Sequence, residues 1–480
     1  MGNGLAARNG GRVGLAALVA VLLVGIGLRV GEAWDGRAPV YDARAYAAIA
    51  ANLDEGNGFT VGAAATQPSN NYSPGLPLLV AGVYEVTGGV HEHLARVILA
   101  LLATLSVFFT YLLARRLHRS MHSAHQGVLN ASSAVAGLIA AAVVAVYPAL
   151  VEYQGMLMSE PLAATLLSAS ILAIFWATGV DHRGISSRYP LATWLVPGGL
   201  LGATAMVRPE YLGVAFLLAL PVFARGARED WQRALAQAAI LFAGVIVVVA
   251  PWTMRNAIAL DRFVPISTGG GQVLFAGTYL PSDGNPERVG AEVVVRHPGI
   301  FDPADAQRLR LEQILARLAA HRYPDLETDR ALSKMGREQF WDDVIEEPLE
   351  YAGFLAAKVG RIWSHGPRDI MREPGWEALH WALLGFGLLG LAALAWRRRW
   401  EALVLATVLL SITALSALLV ASPRRVLVML PLVAALAGVG VTFTASLLCD
   451  RRRSQDLGPY EGQDPGLVNA SPDSPSPGRT

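Results

Sequence analysis

Six short segments of this 480-residue chain bring charged or hydroxyl side chains up against apolar runs, where such residues are costly and call for a reason. The first is Tyr41-Asp42-Ala43-Arg44-Ala45-Tyr46-Ala47-Ala48-Ile49-Ala50. Tyr46, Ile49, Ala50 and Leu53 recur at helical spacing, so the segment predicts an amphipathic helix on the membrane surface with Asp42 in its first turn. There Asp42 can do chemistry, or it can serve only as an N-terminal acid favoured by the helix dipole. The second segment, Asn70-Asn71-Tyr72-Ser73-Pro74-Gly75-Leu76-Pro77, predicts a rigid entry into a short apolar stretch, lining a cavity or capping the next helix. Met158-Ser159-Glu160-Pro161 reads as a helix start, with Glu160 favourable at the dipole.

The remaining three segments are rich in arginine. They are Val207-Arg208-Pro209-Glu210, Pro251-Trp252-Thr253-Met254-Arg255-Asn256 and Ser422-Pro423-Arg424-Arg425. Guanidinium groups bind phosphate in a planar, two-pronged way, so Arg208 and Arg255 suit a phosphate at headgroup level. They suit snorkelling, or pairing with Glu210, equally well. An acid, several arginines and a carboxylate at one level are what catalysis on a lipid-linked phosphate needs.

Helices must present these segments. Hydrophobic residues make up 53% of the chain and charged residues 16%, against about 25% charged in soluble domains. Mean hydropathy is +0.39. The net charge of +1 gives no field for nucleic acid, and none is expected as a partner. A single cysteine, Cys449, excludes an intramolecular disulfide and a cysteine metal site. Apolar runs predict about ten spans: 13–30, 94–114, 131–149, 161–180, 191–207, 211–224, 235–253, 377–396, 401–420 and 425–448. The run at 74–87 is too short to cross and reads as re-entrant or interfacial.

Arginines fix the orientation. Arg115, Arg116 and Arg119, then Arg183 and Arg188, then Arg225, Arg228 and Arg233, then Arg397 to Arg399 all occupy one set of connections. The positive-inside rule makes that set and both termini cytoplasmic, in a multi-pass plasma-membrane protein. All six segments then face outward. The expected organisation is an N-terminal transmembrane module over 1–253 with its first outer loop at 31–93. An extracytoplasmic soluble segment over 254–375, C-terminal helices over 376–448 and a disordered cytoplasmic tail over 449–480 follow. A helix-like stretch is expected at 303–321.

In this order, the segments Asp-x-x-x-Tyr-x-x-Ile-Ala, Pro-Gly-Leu-Pro-Leu, Ser-Glu-Pro, Arg-Pro-Glu, Pro-Trp-Thr-x-Arg-Asn and an arginine near the last span resemble the GT-C superfamily of membrane glycosyltransferases. The nearer resemblance is to the family-39/83-like enzymes, which include protein O-mannosyltransferases and aminoarabinose transferases. It covers roughly residues 13–448. It implies an all-α, polytopic GT-C-like bundle with a small extracytoplasmic portion, and a polyprenyl-phosphate sugar as donor. Asp42 matches the first-loop acid. The sequence departs from the common Asp-Glu pair in having Ala43 after Asp42, and it has Ser73-Pro74-Gly75 where some relatives carry a charge before two prolines.

The resemblance implies inverting transfer to an acceptor hydroxyl on a glycan, lipid or protein, with Asp42 as general base. Arg255 and Arg208, then Arg424 and Arg425, are the expected donor-phosphate ligands. Glu160, Tyr46, Tyr72 and Glu210 are expected to line the acceptor side. A divalent metal ion, if one is used, would fall to Asp42 and Glu160. A lipid-linked sugar transporter or flippase would instead place charges along the middle of its spans. A non-catalytic envelope scaffold would tolerate loss of Asp42.

Overall fold

A computed structural model of the chain describes residues 2–456, except 37–38, 40–41, 63–68, 70, 122–125, 179–189, 284 and 365. Tyr41, Asn70, the orientation residues Arg183 and Arg188, and the tail from 457 lie outside the described residues. Among those described there is no β-strand. The first part of the chain folds as α1 (Gly2–Trp34), α2 (Asp42–Asp54), α3 (Gly75–Thr87), α4 (Glu92–Met121), α5 (Gln126–Val146), α6 (Pro148–Glu152) and α7 (Ser159–Ala177). It continues as α8 (Leu195–Val207), α9 (Tyr211–Gly226) and α10 (Trp231–Leu260). Six helices then precede the last spans: α11 (Gly270–Thr278), α12 (Val289–Arg296), α13 (Asp305–Arg308), α14 (Leu311–Arg322), α15 (Thr328–Glu346) and α16 (Pro348–Ser364). The chain closes with α17 (Pro374–Trp396), α18 (Trp400–Leu418) and α19 (Arg424–Asp456).

Among the described residues, seven helices (α1, α4, α7, α10, α17, α18 and α19) are long and apolar enough to cross a membrane, or eight with the bent α5–α6 pair. The shorter apolar helices include α9 and Leu191–Val207, so each of the ten expected spans has a helix. This is an all-helical, multi-pass membrane protein. The run at 74–87 forms a helix of its own, α3. The stretch at 303–321 is divided: α13 ends at Arg308 and α14 starts at Leu311.

The bundle is built around α19. Of its most apolar window 83% is buried, against 17% for the peripheral α1. Glycine lets α17 and α19 touch backbone to backbone: a Cβ on Gly440 would lie 2.1 Å from the Phe386 carbonyl oxygen, and one on Gly390 2.0 Å from that of Leu436. In lipid such small residues carry helix association, because apolar burial no longer distinguishes a neighbour from a lipid tail.

The break between α5 and α6 bends the chain by 55°. Pro148 has no N–H, so the Val144 carbonyl loses its helical partner. The buried Arg29 of α1 supplies the missing donors, with Nη2 at 2.7 Å from Val144 O and Nη1 at 2.9 Å from Ala145 O. A charge inside this span thus has a structural use. A second, smaller hydrophobic core joins α11, α12, α14 and α15 through Phe275, Val293, Leu315, Leu318 and Leu332.

Candidate active site

Four chain segments meet at one end of the bundle, each delivered by a helix terminus. At the start of α7, Met158 is extended and the chain turns helical at Ser159. Glu160 therefore stands in the first turn, where the helix dipole favours a carboxylate. Its side chain is fully buried. At the end of α8, Arg208 adopts an extended conformation that Pro209 favours in the residue before it. Arg424 opens α19, after a short connection from α18. Asp42 opens α2.

These residues form one continuous chain of charge. Asp42 Oδ2 accepts from Arg424 Nη2 at 3.3 Å, and Arg424 Nε donates to Glu160 Oε1 at 2.8 Å. Arg208 Nη1 lies 3.1 Å from the same Glu160 oxygen, and Arg208 Nε donates to Glu210 Oε1 at 2.9 Å. Arg208 also reaches Ser159 Oγ at 3.3 Å. Glu160 thus holds two guanidinium groups on one oxygen. Among the described residues its other oxygen is buried without a hydrogen-bond partner, as are Nη1 of Arg425 and the hydroxyl of Tyr211. Exposure is 45% for the Asp42 side chain and 32% for Arg424, none for Glu160 at the middle, and 14% for Arg208 beyond it. The solvent-facing end therefore carries an acid beside a cation, and the buried carboxylate anchors them.

Electrostatics follow from this burial. Removal from water disfavours the Glu210 carboxylate, but Arg208 and Arg425 outweigh that and hold it below the usual carboxylate range. Burial likewise disfavours the Arg208 cation, and Glu210 and Glu160 outweigh it, raising Arg208 above its ordinary value. Tyr46, one turn after Asp42, is pushed up by burial and then by Asp42 and Glu160, and hydrogen-bonds Ser159. Its ring meets Tyr72 edge-on at 5.8 Å. Burial, with Asp42 next, also raises Tyr72.

The structure therefore brings together Asp42, Tyr46, Tyr72, Glu160, Arg208, Glu210, Arg424 and Arg425. Arg255 makes a different set of contacts. Its guanidinium lies over Trp252 at 4.8 Å and Phe59 at 5.6 Å, and donates to Ser69 O and Asn256 Oδ1. Those contacts tie the end of α10 to the segment that precedes α3. Ser159 and Tyr153, buried beside Glu160 and Arg424, were not singled out as site residues by the sequence. A hydroxyl next to Glu160 was the available signal for Ser159, whereas Tyr153 had none. Among the described residues no three His, Cys, Asp or Glu side chains are grouped as metal ligands would be.

No family model matches the chain, and no curated protein matches it by sequence. Solved structures do. The archaeal oligosaccharyltransferase AglB from Archaeoglobus fulgidus, in complex with an inhibitory peptide and a dolichol-phosphate, aligns at 15% identity and a TM-score of 0.53, over 94% of this chain and 52% of that one. The same organism's oligosaccharyltransferase in complex with zinc and sulfate aligns at 13% identity and a TM-score of 0.50, over 92% and 50%. ArnT from Cupriavidus metallidurans bound to undecaprenyl phosphate aligns at 14% identity over 93% and 81%, with a TM-score of only 0.38. The chain spans about half the length of the archaeal enzyme it matches. Its helices are laid out as in that enzyme, whose fold it shares over 94% of its length.

Proposed function

We propose that this protein is an inverting glycosyltransferase that moves a sugar from a polyprenyl-phosphate donor to an acceptor hydroxyl at the extracytoplasmic membrane face. The observation that carries the reading is the Asp42–Arg424–Glu160–Arg208 chain, in which a half-exposed acid stands beside a cation anchored from below by a buried carboxylate. Asp42 takes the proton of the acceptor hydroxyl as its oxygen forms a bond to the anomeric carbon. The bond from that carbon to the phosphate oxygen breaks on the opposite side, through an oxocarbenium-like transition state. The polyprenyl phosphate leaves with the negative charge, which Arg424, with Arg208 and Arg425 behind it, stabilises as it develops. A phosphate is a weak base, so no acid need protonate it. The dolichol-phosphate carried by the archaeal structural neighbour is consistent with a donor of this class.

In this reading Arg255 orders the loop before α3, and Tyr46 and Tyr72 wall the acceptor side. The space between Asp42 and Glu160 is taken by the Arg424 guanidinium, so a divalent ion shared by those two carboxylates does not fit the arrangement, and no step is routed through one. The test is transfer in proteoliposomes from a panel of labelled polyprenyl-phosphate sugars. Wild-type protein consumes one of them and Asp42→Asn does not. Equal consumption by both removes Asp42 as the base.

A further inference from the structure

Lys358 lies outside the ion-pair chain, yet its side chain is buried to the end, with 1% exposure. It sits on the packed face of α16 with Tyr351, Phe354 and Ile362. Its Nζ donates to Gly277 O and to Leu419 O, each at 2.5 Å, and lies 4.8 Å from the Phe354 ring. Among the described residues no carboxylate is within ion-pair distance of it. A methionine would fill the same space without the cost of burying an amine. The two carbonyls account for that cost. Gly277 is in the last turn of α11 and Leu419 is the residue that caps α18. Carbonyls at helix C-termini lack intrahelical donors and carry the negative end of the dipole. The two backbones also abut, since a Cβ on Gly277 would lie 2.3 Å from the Leu419 carbonyl carbon.

Leu419 begins the five-residue connection, 419–423, that delivers Arg424 to Glu160 and Asp42. We propose that Lys358 is a positioning residue for Arg424. By clasping Leu419 to α11 it fixes the connection from which the phosphate-binding guanidinium is presented. This rests on the role given to Arg424 under the proposed function. The clasp joins the smaller helical core, through α11, to the transmembrane helix that bears the site's most exposed cation.

The test is a double-mutant cycle on the full-length protein in detergent, with undecaprenyl phosphate as the probe. Binding is measured for wild type, Lys358→Met, Arg424→Ala and the double variant, with Lys358→Arg as the conservative control. Lys358→Met and Arg424→Ala each weaken binding about tenfold or more, within the usual range for coupled contacts, and the double variant binds no more weakly than Arg424→Ala alone. Lys358→Arg recovers most of the loss. Additive losses, or unchanged binding in Lys358→Met while Arg424→Ala binds poorly, overturn the inference and leave the site reading standing. Unchanged binding in Arg424→Ala overturns both. If Lys358→Met does not accumulate in folded form, Gly277→Ala takes its place, pressing a methyl group on Leu419 without touching the lysine. The same non-additivity is then expected, and additivity overturns the inference.

Discussion

Glu160 and Asp42 are both acids bonded to Arg424, and burial separates their roles. Glu160 is fully enclosed and neutralises two guanidinium groups. Removing one member of a buried ion pair leaves an uncompensated charge and costs about 3–5 kcal/mol. Glu160→Ala is therefore expected to lower the thermal unfolding midpoint sharply in detergent, and an unchanged midpoint would show that Arg208 and Arg424 find other partners. Asp42 is half exposed, where water screens its pairing with Arg424. Asp42→Asn should leave the midpoint almost unmoved while transfer falls about a hundred-fold or more, as for other removed transition-state contacts. A parallel loss of stability and transfer in Asp42→Asn would make Asp42 a structural acid. The sequence located these residues because each sits at a helix end, where burial is expensive and caps are needed. It did not pair them. Asp42 and Arg424 are 382 positions apart, and nothing local encodes which helix ends become neighbours.

At the scale of elements, the informative places are where backbone groups lose their partners. The Val144 carbonyl is stranded by Pro148 and taken up by Arg29. Arg29→Met should cost about 1–3 kcal/mol, the penalty for a buried unsatisfied carbonyl, read as a lower unfolding midpoint with α1 still inserted. No change would mean that water or lipid reaches the break. Lys358 performs the same service for two helix ends, and its amine is pushed down to about 7 by burial, then by Arg425 and Arg361, from 10.5. Between those values the unfolded chain holds a proton that the folded chain has released, so this group makes stability rise with pH from about 7 to 10.5. A neutral amine keeps a hydrogen for each carbonyl, so the clasp survives the change. The unfolding midpoint of wild type relative to Lys358→Met should climb across that interval, and a flat difference would contradict the burial argument. The sequence did not single out Lys358, because its partners are carbonyls, which leave no mark in the side-chain pattern. Arg255 illustrates the complementary limit. Position along the membrane normal is legible from where an apolar run ends, whereas direction around the bundle is set by packing, which turns Arg255 toward Phe59 and Trp252.

For the whole molecule, hydropathy made the fold legible: ten apolar runs became ten helical segments, α19 at their centre, because lipid offers backbone groups no hydrogen-bond partner and a helix satisfies most of them internally. The smaller core over α11 to α15 was legible only as a soluble segment with one helix-like stretch at 303–321. Sidedness, in the proposed reading, follows the arginine bias. An impermeant maleimide should therefore label exposed Cys449 only after membranes are opened, and should label a cysteine placed at Gly88 in intact cells once Cys449 is replaced. The reverse pattern would move the site to the cytoplasmic face. The central claim is that this end of the bundle transfers a sugar from a lipid phosphate, and its most direct test is the release of polyprenyl phosphate. In proteoliposomes given a labelled polyprenyl-phosphate sugar and its acceptor, the account predicts release and an inverted glycosidic product with wild type, and neither with Asp42→Asn. Failure of wild type to release the lipid from any sugar in the panel, or equal release by Asp42→Asn, would contradict it.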